Sequence, residues 1–201
     1  SYDSAIALRP EMVAAHNNRG NVLQDLQRPA EALASYDRVI ALQPGIAQAH
    51  NNRANALRNL KRPEQALAGY DRAIALKPDY AEAYGNRGNA LHDLKRAAQA
   101  LESFDRAVEL EPRYAEAYNS RGNALNDLKR PEEALASFDK AIALRPDYAE
   151  AYSNRGTVLM ILKRTSEALG NYERAIALKP GYAEAYSNRG NALRDVRRLE
   201  E

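Results

Sequence analysis

The chain's 201 residues carry 29 lysines and arginines against 27 aspartates and glutamates, a formal net charge of +2, with no cysteine. That balance gives no general reason to expect nucleic acid or an anionic membrane as partner, and disulfides and thiolate chemistry are excluded. No signal-like segment and no run of eighteen apolar residues occurs, so a cytoplasmic location is expected, the lack of cysteine being equally compatible with the periplasm.

One phase of 34 residues runs through the chain. Gly88, Gly122, Gly156 and Gly190 are each 34 apart, and so are Pro44, Pro78, Pro112, Pro146 and Pro180. A period of that length marks a solenoid, in which each unit buries surface only against its neighbours. Residues 1–12 are the second half of a unit. Five whole units follow at 13–46, 47–80, 81–114, 115–148 and 149–182, and 183–201 supply the first half of another, all in a single array over 1–201. Neither end has the atypical capping sequence of a finished array, so a piece of something longer is expected.

Within 81–114, Tyr84, Gly88, Leu91 and Leu94 recur at spacings of four, three and three, the stripe of a first helix, A. Lys95-Arg96 interrupts the pattern. Ala100, Leu101, Phe104, Ala107 and Val108 resume it as a second amphipathic helix, B, ended by Pro112. In three units helix B opens on proline (Pro29, Pro63, Pro131), whose fixed φ suits the first turn. A glycine inside a helix costs about 1 kcal/mol against alanine, yet Gly20, Gly88, Gly122, Gly156 and Gly190 sit mid-helix, with Ala54 the exception. An alanine twelve positions on (Ala32, Ala66, Ala100, Ala134, Ala168) suggests that the two helices cross almost backbone to backbone.

Tyr-x2-Arg-Gly-x2-Leu, then Ala-x3-Phe/Tyr, then Pro, on a 34-residue period over the whole chain, resembles the tetratricopeptide repeat. Departures are Tyr, or His16 and His50, where Trp is usual, Arg where Leu is usual, and Leu where Tyr is usual. The resemblance implies an all-α fold in which antiparallel helix pairs stack as a right-handed superhelical solenoid. It also implies a concave groove lined by the A helices and a role as a protein-binding scaffold.

Arg19, Arg53, Arg87, Arg121, Arg155 and Arg189 fall within the apolar stripe of helix A. A partly buried guanidinium needs an acid or must reach water with its head. Asp3, Asp37, Asp71, Asp105, Asp139 and Glu173, at the edge of each B-helix core face, are the expected partners. Either role is structural.

The opposite face of helix A carries two asparagine series. One is Asn18, Asn52, Asn86, Asn154 and Asn188, interrupted by Ser120; the other is Asn21, Asn55, Asn89, Asn123 and Asn191, interrupted by Thr157. A carboxamide donates and accepts together, so it can meet both the C=O and the N–H of an extended peptide. The first series resembles the asparagines that hold peptide backbone in the repeat arrays of O-linked N-acetylglucosamine transferases. That resemblance implies peptide binding by Asn52, Asn86, Asn154 and Asn188; local bonding between repeats is the alternative. A clamp for a C-terminal carboxylate is not expected, because Glu82, Glu116, Glu150 and Glu184 occupy early groove positions, with Asn51, Gly85, Asn119 and Ser153 nearby. Arg58, His92, Met160 and Ile161 are candidates for local selectivity, the last two replacing polar pairs such as Gln24-Asp25 and forming an apolar patch.

The A–B turns carry Lys61-Arg62, Lys95-Arg96, Lys129-Arg130, Lys163-Arg164 and Arg197-Arg198, a basic ridge without interleaved aromatics, so nucleic acid is not an expected partner. His16 and His50 replace core tyrosines on non-adjacent helices, too far apart to share a metal. No nucleophile completes a triad with His92 and Asp93. The sequence thus predicts a noncatalytic module without cofactor or metal that holds an extended peptide or a partner helix. Two other roles are compatible with it. One is the substrate-selecting arm of a larger glycosyltransferase-type enzyme. The other is a structural array that self-associates end to end through its truncated ends.

Overall fold

The computed structural model describes residues 2–200, with side chains described over 2–196, as twelve helices. They are α1 (Tyr2–Leu8), α2 (Val13–Asp25), α3 (Pro29–Leu42), α4 (Ala47–Asn59), α5 (Pro63–Leu76), α6 (Ala81–Asp93) and α7 (Ala97–Leu110), then α8 (Ala115–Asp127), α9 (Pro131–Leu144), α10 (Ala149–Ile161), α11 (Thr165–Leu178) and α12 (Ala183–Glu200). No strand occurs among the described residues, so the fold class is an all-α helical repeat. Two compact units divide the chain, residues 1–110 and 111–201. Inside each unit, A and B helices alternate and each packs on its sequence neighbour, while successive A helices also touch, α2 on α4, α4 on α6, α8 on α10 and α10 on α12.

The turn from A to B is a Schellman cap built without glycine. Lys61 N–H donates to Arg58 O at 2.9 Å and Arg62 N–H to Leu57 O at 3.0 Å, the two bonds of that motif. The residue at the centre is left-handed in each of five turns: Gln27 (φ 57), Lys61 (60), Lys95 (60), Lys129 (60) and Lys163 (58). A side chain in that region strains the backbone, whereas glycine adopts it freely. Lys129→Gly is therefore expected to stabilise the protein by about 1 kcal/mol, read as a higher urea midpoint at unchanged slope.

Three of the five turn arginines are paired in place. Arg28, Arg130 and Arg164 each form a two-pronged pair with the glutamate three residues on, Glu31, Glu133 and Glu167. At Arg197-Arg198 the expected turn is not formed. Helix α12 continues through this pair to Glu200; the side chains of that pair lie outside the described ones.

The mid-helix glycines serve a different contact from the one expected. A Cβ on Gly20, Gly88, Gly122 or Gly156 would stand 2.5–2.6 Å from the ring of the aromatic residue sixteen positions on, respectively Tyr36, Phe104, Phe138 and Tyr172. The glycine thus seats a fully buried ring, and close approach of two backbones is not the cause. The alanines twelve positions on are fully buried beside that ring. In the exceptional unit the adjustment is made on the other helix. Ala54 fills the seat, and Gly69 on α5 leaves room for it, since a Cβ on Gly69 would lie 2.9 Å from that of Ala54.

Five of the expected arginine pairs are present: Arg19–Asp3, Arg53–Asp37, Arg87–Asp71 and Arg155–Asp139 at 2.6–2.7 Å, and Arg189–Glu173 at 3.3 Å. Each guanidinium is half-buried and each acid mostly exposed, so stem packing and pairing both operate. Arg19, Arg87 and Arg121 also donate to the buried hydroxyls of Ser35, Ser103 and Ser137. His16 and His50 are structural. Their Nε2 atoms lie 2.8 and 2.9 Å from the carbonyls of Pro10 and Pro44, where Tyr152 reaches Pro146 O by its hydroxyl.

Candidate functional site

The asparagine face is built by the A helices of each unit, and its carboxamides divide into those bonded within the protein and those left open. In the first unit, Asn52 Nδ2 donates to Asn21 Oδ1 at 3.3 Å, and Asn86 Nδ2 donates to Asn51 Oδ1 at 3.1 Å. Asn51, fully buried, passes its own amide to Glu82 Oε1 at 3.1 Å. In the second unit, Asn154 Nδ2 donates to Asn119 Oδ1 at 3.0 Å. Three members of the first series therefore tie one A helix to the preceding one.

The second series depends on the B-helix aromatic. Where that residue is tyrosine, its hydroxyl donates across to the asparagine, Tyr36 to Asn21 at 2.8 Å and Tyr70 to Asn55 at 2.7 Å. Burial, reinforced by the charge of Asp25, pushes the Tyr36 phenol up to about 12, and burial raises Tyr70 likewise, so both remain donors at any physiological pH. Where the residue is Phe104 or Phe138 there is no hydroxyl, and Asn89 and Asn123 make no side-chain hydrogen bond among the described residues. Asn18 and Asn188 also make none, and Asn191 accepts from Arg194. The tyrosine–phenylalanine alternation, on the same 34-residue period, was the sequence signal that separates these groups.

The other candidates are dispersed. Arg58 donates to Asp93 across α4 and α6 at 2.7 Å, so its charge is already paired. His92 is half-buried on α6. Met160 is half-buried and Ile161 is 56% exposed at the end of α10, an apolar spot in the second unit. Two of the early glutamates are ion-paired. Glu116 pairs with Arg145, and Glu150 accepts from Lys179 at 2.7 Å, which holds its carboxyl below the ordinary value. Those cations also stack on the tyrosines three residues on, Arg145 at 4.1 Å from the Tyr148 ring centre and Lys179 at 4.8 Å from that of Tyr182.

A polar recess of about 200 Å³ opens on this face in the first unit, lined by Asn21, Gln24, Asp25, Tyr36, Asn52 and Asn55. The buried Gln24 Oε1 has no hydrogen-bond partner among the described residues. Sequence reasoning passed over Gln24 as a binding residue, because nothing in a 34-residue period distinguishes a solvated glutamine from one facing into a recess.

Four family profiles match the chain. Three described as tetratricopeptide repeat cover residues 115–148, residues 1–45 with 18–81, and residues 70–102, and one described as TPR repeat covers 88–129 and 158–194. The chain belongs to the tetratricopeptide-repeat (TPR) family. Members of this family are typically noncatalytic scaffolds for protein–protein interaction. Among curated proteins none matches the chain.

Similar TPR structures include TTC0263, a thermophilic TPR protein of Thermus thermophilus, 26% identical with a TM-score of 0.75, covering 90% of this chain and 98% of that one. YrrB, described as a TPR protein with an unusual peptide-binding site, is 24% identical with a TM-score of 0.71 over 94% of this chain and 98% of its own. A chain of the APC/C hetero-tetramer Cut9–Hcn1 reaches a TM-score of 0.85 at 17% identity, and this TPR chain spans 38% of it. At these identities the YrrB and Cut9–Hcn1 likenesses speak for the fold alone. No helix among the described residues of the TPR chain is long and apolar enough to cross a membrane.

Proposed function

We propose that this TPR chain is a noncatalytic interaction scaffold that holds an extended peptide segment of a partner protein against the asparagine face of its A helices. The observation that carries this reading is two pairs of carboxamides, Asn18 and Asn89 on the A helices of the first unit and Asn123 and Asn188 on those of the second, which make no hydrogen bond within the described residues. Each offers a donor and an acceptor to peptide backbone without reading side chains. Asn52 and Asn154 each have one amide hydrogen committed internally, and Asn86 has both, to Asn51 and Glu82; each keeps the carboxamide's remaining capacity for a ligand, as do Asn21, Asn55 and Asn191 to a lesser degree. Arg58, His92, Met160 and Ile161 add local selectivity, with Ile161 available to an apolar anchor. The peptide-binding site ascribed to YrrB is consistent with this use of the fold. The test is selection of a random twelve-residue peptide library against the protein and against the Asn18→Ala/Asn89→Ala/Asn123→Ala/Asn188→Ala variant. Peptides enriched by the first and not by the second support the reading; equal enrichment by both contradicts it. The same face would serve as the substrate-selecting arm of a larger glycosyltransferase-type enzyme.

End-to-end self-association is a second reading with its own observation. Among the described residues nothing lies within 4 Å of the place a Gly190 Cβ would occupy, whereas the matching glycines of whole units hold a ring there. Tyr2 occupies the matching ring position of a unit and is 42% exposed. Tyr2 of one copy and Gly190 of another are thus complementary in register. A sedimentation series should show mass rising with concentration for the wild type and a constant monomer for Tyr2→Asp. A monomer throughout would exclude this association.

A further inference from the structure

We propose that the recess between α2 and α4 seats a cationic side chain, arginine or lysine, of the bound segment; this rests on the peptide-binding reading above and gives it a sequence preference. Two acceptors of the recess lining are uncommitted, Gln24 Oε1 and the Asp25 carboxylate. Of the donors around it, the Tyr36 hydroxyl and one Asn52 amide hydrogen are both spent on Asn21 Oδ1. Gln24 Oε1 is buried with no donor among the described residues. A buried acceptor left unpaired is a standing penalty that a ligand's N–H removes.

At the mouth stands Asp25, exposed and without an ion pair among the described residues. The protein itself shows how an aspartate at this repeat position is satisfied. Asp93 is the residue two periods on from Asp25, and it receives the Arg58 guanidinium from the neighbouring A helix at 2.7 Å. A ligand guanidinium entering the recess would make the same charge-assisted bond to Asp25 and present its further N–H groups to Gln24 Oε1. An acidic or apolar side chain would leave Gln24 unpaired and, if acidic, would meet a like charge.

The experiment begins with the peptides enriched from the random library by the wild-type protein. A basic residue at one fixed position is expected. In a fluorescence titration of the labelled top peptide, replacing that residue with citrulline should weaken binding about tenfold, the size of one charge-assisted hydrogen bond. Asp25→Asn should weaken the parent peptide by a similar factor and leave the citrulline peptide unaffected, since the two changes remove one interaction. Gln24→Leu should act in the same direction. Enriched peptides without a basic residue, or citrulline and Asp25→Asn losses that simply multiply, would overturn the inference. The peptide-binding reading would still stand if those peptides lost affinity for the asparagine variant. Failure to enrich any peptide would sink both. Neither the Asp25 nor the Gln24 side chain bonds within the described residues, so the variants leave the fold's hydrogen bonds intact.

Discussion

Phe138→Ala is expected to destabilise the protein by about 3–5 kcal/mol, the usual cost of removing a fully buried aromatic side chain. The ring is completely inaccessible and lies against the slot that Gly122 leaves open on α8. Its removal forfeits the burial of the ring and opens a cavity that cannot easily collapse, because α8 and α9 are already held by the neighbouring Ala124, Leu125, Ala134 and Ala141 contacts. The effect should appear as a lower urea midpoint, with amide exchange accelerated in α8 and α9. A loss below about 1 kcal/mol would mean that the ring is not the element that closes the helix pair.

The second large effect concerns the unit that breaks the glycine rule. By periodicity Gly69→Ser is conservative, because Ser35, Ser103 and Ser137 occupy the same repeat position and accept from an arginine. By structure it is not. The new Cβ would stand 2.9 Å from Ala54 Cβ and 3.3 Å from the His50 carbonyl, in a fully buried contact. Overpacking of this kind costs about 1–3 kcal/mol. Adding Ala54→Gly recreates the arrangement of the other units, with a seat for the Tyr70 ring and a hydroxyl for Arg53. Alone, Ala54→Gly loses about 1 kcal/mol of helix propensity. The double variant should therefore be more stable than the sum of the two single losses by about 1–3 kcal/mol in a urea double-mutant cycle. Simple additivity would show that α4 and α5 are not packed as tightly as these distances require.

These two cases mark where sequence reading stops. Helix A begins at the first residue of each unit, and the prolines 29, 63 and 131 open helix B, so the element pattern was legible from apolar spacing and from proline alone. The arginine–acid pairs were legible too, because an arginine inside an apolar stripe demands a counter-charge. The partner of the mid-helix glycine was not. Period arithmetic offers both an alanine twelve residues on and a ring sixteen residues on, and only the helix crossing decides between them. The left-handed lysines were hidden for a similar reason, since lysine carries no turn signal and the cap is recognisable only from its backbone bonds. On the candidate face, residue type showed which side chains could bind peptide. Which of them are occupied depends on contacts 15 to 35 residues away, such as Tyr36 to Asn21 and Asn86 to Asn51.

That division yields the cleanest test of the central claim. The side chains of Asn18, Asn89, Asn123 and Asn188 make no hydrogen bond within the described residues, so changing all four to alanine removes ligand contacts without removing any hydrogen bond that holds the fold. Two neutral hydrogen bonds within either unit, Asn18 with Asn89 or Asn123 with Asn188, at about 0.5–1.5 kcal/mol each predict a loss of at least about fivefold in affinity for a library-selected peptide. The measurement is a fluorescence titration of that peptide against wild type and variant, run beside their thermal unfolding. Affinity lost at an unchanged unfolding midpoint is the predicted result. Undiminished affinity at an unchanged midpoint would contradict the account and remove the asparagine face from the binding site.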